Sequence, residues 1–192
     1  MKVWKHFKKI MVHKYWVAKY AFKTGIPWQG ITHDLSKFSP VEFWESVKYY
    51  QGNGSPIDAC KKANGYSMAW MHHKGRNPHH YEYWQDNFDH GGNPLIMPYK
   101  YTVEMLCDYL AAARAYMGKD FTYDAEFEWW LKKNENGLAM HPVNKQFLTV
   151  VLDILKCGSH YSSGEFILHK DYLSAIYEGM VKKWNEMENE WW

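Results

Sequence analysis

The adjacent pair His33-Asp34, together with the order of histidines and carboxylates around it, constrains this chain more than any other feature. His13 precedes the pair, His72, His73, His79 and His80 follow it, and Asp108 comes last, among apolar neighbours. Imidazole and carboxylate are the side chains that hold hard-to-borderline divalent metals. Ligands spread from position 13 to position 108 meet only if the elements that carry them fold against one another. The series supplies enough donors for one or two ions, so a metal centre built from several helices is expected.

Helical signals dominate. In residues 2–24 the apolar Val3, Phe7, Ile10 and Val17 recur near the helical period, and Gly25 can end the helix. Pro27 then opens a short helix expected to hold His33-Asp34. Ser39-Pro40-Val41-Glu42 reads as a capping box with a proline at the first helical position, predicting a break after Phe38 and a helix to about Tyr50. Ser55-Pro56-Ile57-Asp58 starts another helix, to about His73, with Gly65 as a weak point inside it. Residues 74–98 are rich in Gly, Asn and Pro, and a long irregular segment of this kind is often functional. Further helices fit 99–117, closed by Gly118, then 123–134, 142–157, with Pro142 first and Gly158 as the stop, and 168–190. Neither a strand-like alternation nor an internal repeat stands out. The expectation is an all-α, single-domain bundle of about seven or eight helices over 1–192. Its metal-site core spans about 10–118, and 119–192 forms a C-terminal helical extension.

The 192 residues suit one sizeable core. Aromatics make up 18%, with 11 Trp and 15 Tyr, enough to build both the core and the walls of a pocket. Trp129, Trp130, Trp184, Trp191 and Trp192 are expected against the core or another subunit, so a homo-oligomer stays open. Cys60, Cys107 and Cys157 are odd in number and far apart, which argues against a disulfide scaffold or a Cys-rich zinc site and for a reducing compartment. The basic N-terminus has no continuous apolar run, so neither a secretory signal nor a membrane span is expected, and the location should be cytoplasmic. The first 33 residues contain no acid, while Lys2, Lys5, Lys8, Lys9, Lys14, Lys19 and Lys23 lie along one helix. That is a solvated lysine face or a contact surface for nucleic acid, membrane or anionic substrate, and lysines alone do not choose.

Within the constellation, His13 shares a stripe with Ile10 and Val17 and should face the core. On a helix, His33 and Asp34 would project about 100° apart and grip ions off one side, with the carboxylate able to bridge two. Lys37, three residues after Asp34, suits a phosphoryl group polarised jointly by metal and lysine; the plainer reading is a surface lysine paired with Asp34. A buried Asp108 needs a metal, Arg114 or a histidine beside it, and Glu104 one turn earlier can support the site or add a ligand. The run His72-His73-Lys74-Gly75-Arg76-Asn77-Pro78-His79-His80 offers four imidazoles in nine residues. One ligand from each pair is the economical choice, here His73 and His80, which leaves His72 and His79 for hydrogen bonds or substrate. Arg76 can fork onto an anionic oxygen or stand solvated in the loop. His141 is placed at a helix start; His6, His90, His160 and His169 are taken as structural or exposed.

This pattern resembles the HD-domain superfamily of all-α, metal-dependent phosphohydrolases. The resemblance lies in His13, the dyad His33-Asp34, the later histidine region and Asp108. HDLSK at 33–37 is similar to the HD-x-x-K form of the HD-GYP branch, and PYKYTVEMLCDYLAAARAYMG at 98–118 resembles the helix carrying the last aspartate. The GYP signature is absent, so cyclic-dinucleotide cleavage is not implied. The resemblance implies one or two divalent ions (Mn, Fe, Zn, Mg or Ni) on His13, His33, Asp34, His73, His80 and Asp108. Asp34 and Lys37 would act in catalysis, and Lys37, Arg76, His72 and His79 would bind a small phosphorylated substrate, a nucleotide or a related molecule. Two other readings stand beside it: a non-catalytic nucleotide or nucleic-acid binding module with a structural metal, and a diiron oxygenase of HD type. A ferritin-like diiron bundle is disfavoured because no Glu has a His three residues on, and H-E-x-x-H is absent too.

Overall fold

The helix α1 (Lys2–Lys23) turns His6, Ile10, His13, Val17, Tyr20 and Ala21 inward, at the three- and four-residue spacings that mark one helical face. The computed structural model describes residues 2–159 and 164–189. Helix α2 (Pro27–Thr32) folds back onto α1 through Gly30, where an added Cβ would lie 2.5 Å from the Cβ of Ala21. Only glycine permits that approach. It brings the chain after α2 beside His13.

A 3₁₀ turn (Leu35–Phe38) leads to α3 (Pro40–Tyr49), whose cap Ser39 accepts the backbone N–H of Glu42 as the Ser-Pro signal predicts. The single helix expected over 56–73 is instead two. Helix α4 (Pro56–Asn64) stops at Gly65, which takes the left-handed conformation at φ 80°, and α5 (Met68–Lys74) restarts on Ser67 as its own cap. A left-handed glycine caps a helix better than it continues one. The irregular segment after α5 contains one small departure from the strandless expectation. β1 (Gln85–Asp86) pairs antiparallel with β2 (Asn93–Pro94), Gln85 opposite Pro94.

Helix α6 (Tyr99–Met117) is the central element, with every residue from Thr102 to Ala111 buried. It lies along α1 on one side and meets α8 and α9 on the other. Helices α7 (Tyr123–Glu135), α8 (Pro142–Ser159) and α9 (Lys170–Asn189) complete nine α-helices among the described residues. Gly158 does not stop α8, which runs through it to Ser159. The core gathers Leu106, Leu110, Trp130, Phe147 and Leu152, and Trp130 reaches Thr149 Oγ1 with its indole N–H at 2.8 Å. Truncating Leu106 to alanine there would cost about 2–5 kcal/mol. Trp184 packs on this core and Trp129 is exposed, whereas Trp191, Trp192 and His160 lie outside the described residues. The architecture is all-α, and among the described residues no helix is long and apolar enough to cross a membrane.

Candidate metal centre

His33 and Asp34 do not sit on a helix, contrary to the expectation from Pro27. Helix α2 ends at Thr32; His33 is extended (φ −50°, ψ 128°) and Asp34 is left-handed (φ 55°, ψ 28°). Aspartate and asparagine enter that region more readily than other non-glycine residues. The kink replaces the divergence of neighbouring helical residues with convergence: His33 Nε2 lies 3.2 Å from Asp34 Oδ2. Lys14 steadies the turn by donating to the His33 carbonyl at 2.5 Å.

Around this turn the chain gathers two groups of four donors. His13, His33, Asp34 and Asp108 form the first, and Asp34, His73, His79 and His80 the second, each with its donor atoms within 4.8 Å of one another. In the first group His13 Nε2 is 3.1 Å and His33 Nε2 is 3.5 Å from Asp108 Oδ1. In the second, His73 Nε2 and His79 Nε2 stand 3.3 and 3.4 Å from Asp34 Oδ1. Asp34 belongs to both groups, one oxygen towards each. All six sequence-nominated ligands are thus brought together, and His79, expected on the substrate side, joins them.

Other carboxylates set the histidine rings. Glu104 Oε1 lies 3.0 Å from Nδ1 of His33 and 3.1 Å from Nδ1 of His79. Glu42 does the same for His73, whose Nδ1 is 2.8 Å from Oε2, and it takes His72 at 2.6 Å on its other oxygen. In the rings of His33, His73 and His79, held by Nδ1, Nε2 is the nitrogen left for the centre, the arrangement found behind metal-bound histidines. The sequence marks Glu42 only as a capping residue. Its side chain turns to the histidines rather than back to Ser39. His72 is therefore committed to Glu42 and lines neither cavity described below.

The electrostatics call for a cation. Burial pushes the pKa of Asp34 up, but His33, Lys37 and His73 outweigh it and hold the carboxyl well below its ordinary range. Asp108 is held down likewise, against burial, by His13 and His33. Burial lowers His33, yet the facing Asp34, Asp108 and Glu104 raise it well above the usual imidazole value. The carboxylates thus draw a proton onto His33 when nothing else balances them. Burial and Lys37 keep His13 neutral, and burial with the neighbouring His79 keeps His80 neutral, as a ligand must be. Nε2 of His80 is buried without a hydrogen-bond partner among the described residues, while the buried Nε2 of His79 and the oxygens of Asp34 make only ion-pair contacts, among them those with each other and with His33, His73 and Lys37. Orphaned buried polar atoms are costly. An orphaned imidazole nitrogen beside a carboxylate crowded by further imidazoles fits a divalent ion.

Lys37 is in ion-pair contact with Asp34 and is partly exposed on a cavity of about 200 Å³. Lys9, Trp70, Tyr116, His80 and Asp108 also line it. A second cavity of about 280 Å³ reaches Asp34 and His79 past Trp28, Lys100 and the exposed Arg76. Arg76 and Lys37 therefore face different openings. His6, left structural by sequence, lines the first cavity, and burial and then Lys37 lower its pKa to about 4. His141 caps α8 by accepting the Val143 N–H at 3.2 Å; His90 and His169 are exposed. Asp108 meets histidines and not Arg114, which bonds the Tyr20 hydroxyl at 2.6 Å.

The chain belongs to a family of unknown function, DUF5662, whose model matches residues 2–154 and so includes every residue of the two donor groups. Neither the curated proteins nor the solved structures provided a match.

Proposed function

From the geometry, since this family carries no assigned activity, we propose that the protein is a metal-dependent phosphohydrolase acting on a small phosphate ester of the nucleotide class. The observation that carries the reading is the pair of four-donor groups sharing Asp34, with the Lys37 ammonium on that carboxylate and at a cavity wall. Divalent ions held by His13, His33, Asp34, His73, His79, His80 and Asp108 would supply Lewis acidity and a water acidified towards neutral pH.

The chain's own residues do the rest. Glu104 and Glu42 orient His33, His79 and His73 before substrate arrives. Lys37 has its pKa raised by Asp34 and Asp108 against the cost of burial, so it stays cationic and can hold the anionic oxygens of the ester as charge builds on them. Trp70 and Tyr116 give the cavity flat aromatic walls on which a ring can stack. The order of His13, His33-Asp34 and Asp108, with Lys37 three residues after the dyad, also supports the HD-like reading.

The test is phosphate release by metal-reconstituted protein from nucleoside mono-, di- and triphosphates, cyclic dinucleotides and a generic aryl phosphate. Turnover of at least one, lost in Asp34→Asn, is expected. If every ester stays intact with each of Mn, Mg, Zn, Ni and Fe, the hydrolase reading is withdrawn.

A further inference from the structure

The metal centre uses only the inner side of α1. On the outer side Trp4, Met11, Tyr15 and Phe22 are spaced by seven, four and seven residues, so they fall within about 40° of one another around the helix. They are 60, 45, 61 and 62% exposed, although their size and apolar character suit burial. Lys5, Lys8 and Lys19 flank this stripe and are exposed as well, with the Lys8 ammonium 5.2 Å from the centre of the Trp4 ring. Lysine supplies all the side-chain charge of α1 apart from its two histidines; the helix holds no Asp, Glu, Arg, Asn, Gln, Ser or Thr.

We propose that the outer face of α1 docks this protein on an anionic phospholipid surface, with the helix lying in the plane of the interface. Aromatic rings and Met enter the boundary between headgroups and acyl chains, while lysines beside them reach back to phosphate. Lys5, Lys8 and Lys19 beside the stripe, with no acid within the first 33 residues, match a negatively charged leaflet, whereas Lys9, Lys14 and Lys23 are engaged with Ala115, His33 and Glu165. The same composition disfavours the alternatives. A second copy packed face to face would oppose two acid-free lysine fields. Base readout in a nucleic acid would call for Arg, Asn, Gln, Ser or Thr, and the helix has none; its lysines could grip phosphate alone, which the vesicle and nucleic-acid measurements below separate. The stripe is also convex, on the solvent side of a helix, and not a groove that could track a strand.

Sedimentation of the intact protein with lipid vesicles tests this. Binding is expected to vesicles of phosphatidylcholine with about 30% phosphatidylglycerol and not to phosphatidylcholine alone, weakening at least about tenfold as salt is raised. Two double variants separate the contributions: Trp4→Ser with Phe22→Ser, and Lys8→Gln with Lys19→Gln. Each should lose at least about tenfold in vesicle binding while circular dichroism, metal content and any phosphate release stay unchanged, because the four positions are exposed and lie outside the site. Absence of binding to the anionic vesicles overturns the proposal, as does binding that neither variant changes. A dimer in solution that the aromatic variant dissociates, or nucleic-acid binding that the lysine variant abolishes with vesicles ignored, would give the face to another partner and overturn it equally.

Discussion

Glu104 accepts from Nδ1 of His33 at 3.0 Å across 71 residues of sequence, and this turns Nε2 of the same ring to within 3.2 Å of Asp34 Oδ2. One carboxylate oxygen thereby fixes the orientation of His33 and, through a 3.1 Å contact, of His79. Replacing Glu104 with Gln keeps the shape and removes the charge. Metal affinity, read by competition with a chelator, should fall about 10–100-fold with the fold intact. Unchanged affinity would mean that Glu104 does not orient the ligands.

Asp34 invites a cleaner test than alanine. Its left-handed backbone at φ 55° is a conformation that asparagine also tolerates. Asp34→Asn keeps the turn but leaves buried His33 and Lys37 without their carboxylate, so it should melt below the parent in metal-free buffer and fail to gain stability when divalent ions are added. The parent should gain about 3–4 kcal/mol at saturating metal, as ligand linkage requires. Asp34→Ala carries backbone strain in addition, of about 1 kcal/mol, and should melt lower than Asp34→Asn.

In the proposed hydrolase Lys37 meets the substrate rather than the metal. Lys37→Met should leave metal content intact and lower kcat/KM by about 10²–10³-fold, the usual cost of losing one donor to developing charge. Loss of metal in this variant would move Lys37 from substrate binding to site assembly.

Away from the centre, Glu126 on α7 is buried with Oε1 unpartnered among the described residues. Burial pushes its pKa up to about 8, only partly offset by Lys133. Between about 4.5 and about 8 the native chain keeps a proton that the unfolded chain has released. Stability from this group is thus present at low pH and is lost as pH rises through that window. Glu126→Gln should raise the melting temperature at pH 9 by an amount equivalent to at least about 1 kcal/mol and change it little near pH 5, measured by paired thermal melts.

Much of this arrangement was legible in the chain. Ser39 and Ser55 announce their helices, α1 and α6 end where periodicity and glycine place them, and the six nominated ligands converge. Local rules failed where a distant partner decided the outcome. Capping-box grammar sends Glu42 back to its own helix start, but charge-assisted bonds to His72 and His73, 30 and 31 residues away, win. No spacing rule reports such a partner. The left-handed turn at Asp34 escaped for a related reason: a single αL residue leaves no periodicity, and the Pro27 signal says where a helix begins, not where it ends. Gly65 shows the opposite case, a breaker visible in the sequence whose left-handed conformation ends the helix outright.

The most direct test of the account is elemental analysis of the protein after reconstitution with Mn, Fe, Zn, Mg and Ni, beside a His33→Ala/Asp34→Ala double variant. Two donor groups sharing one carboxylate predict about two ions per chain for at least one metal, lost in the variant. A chain that retains none of these metals would contradict it, because the buried carboxylates would then be balanced by protons on their histidines and not by a cation.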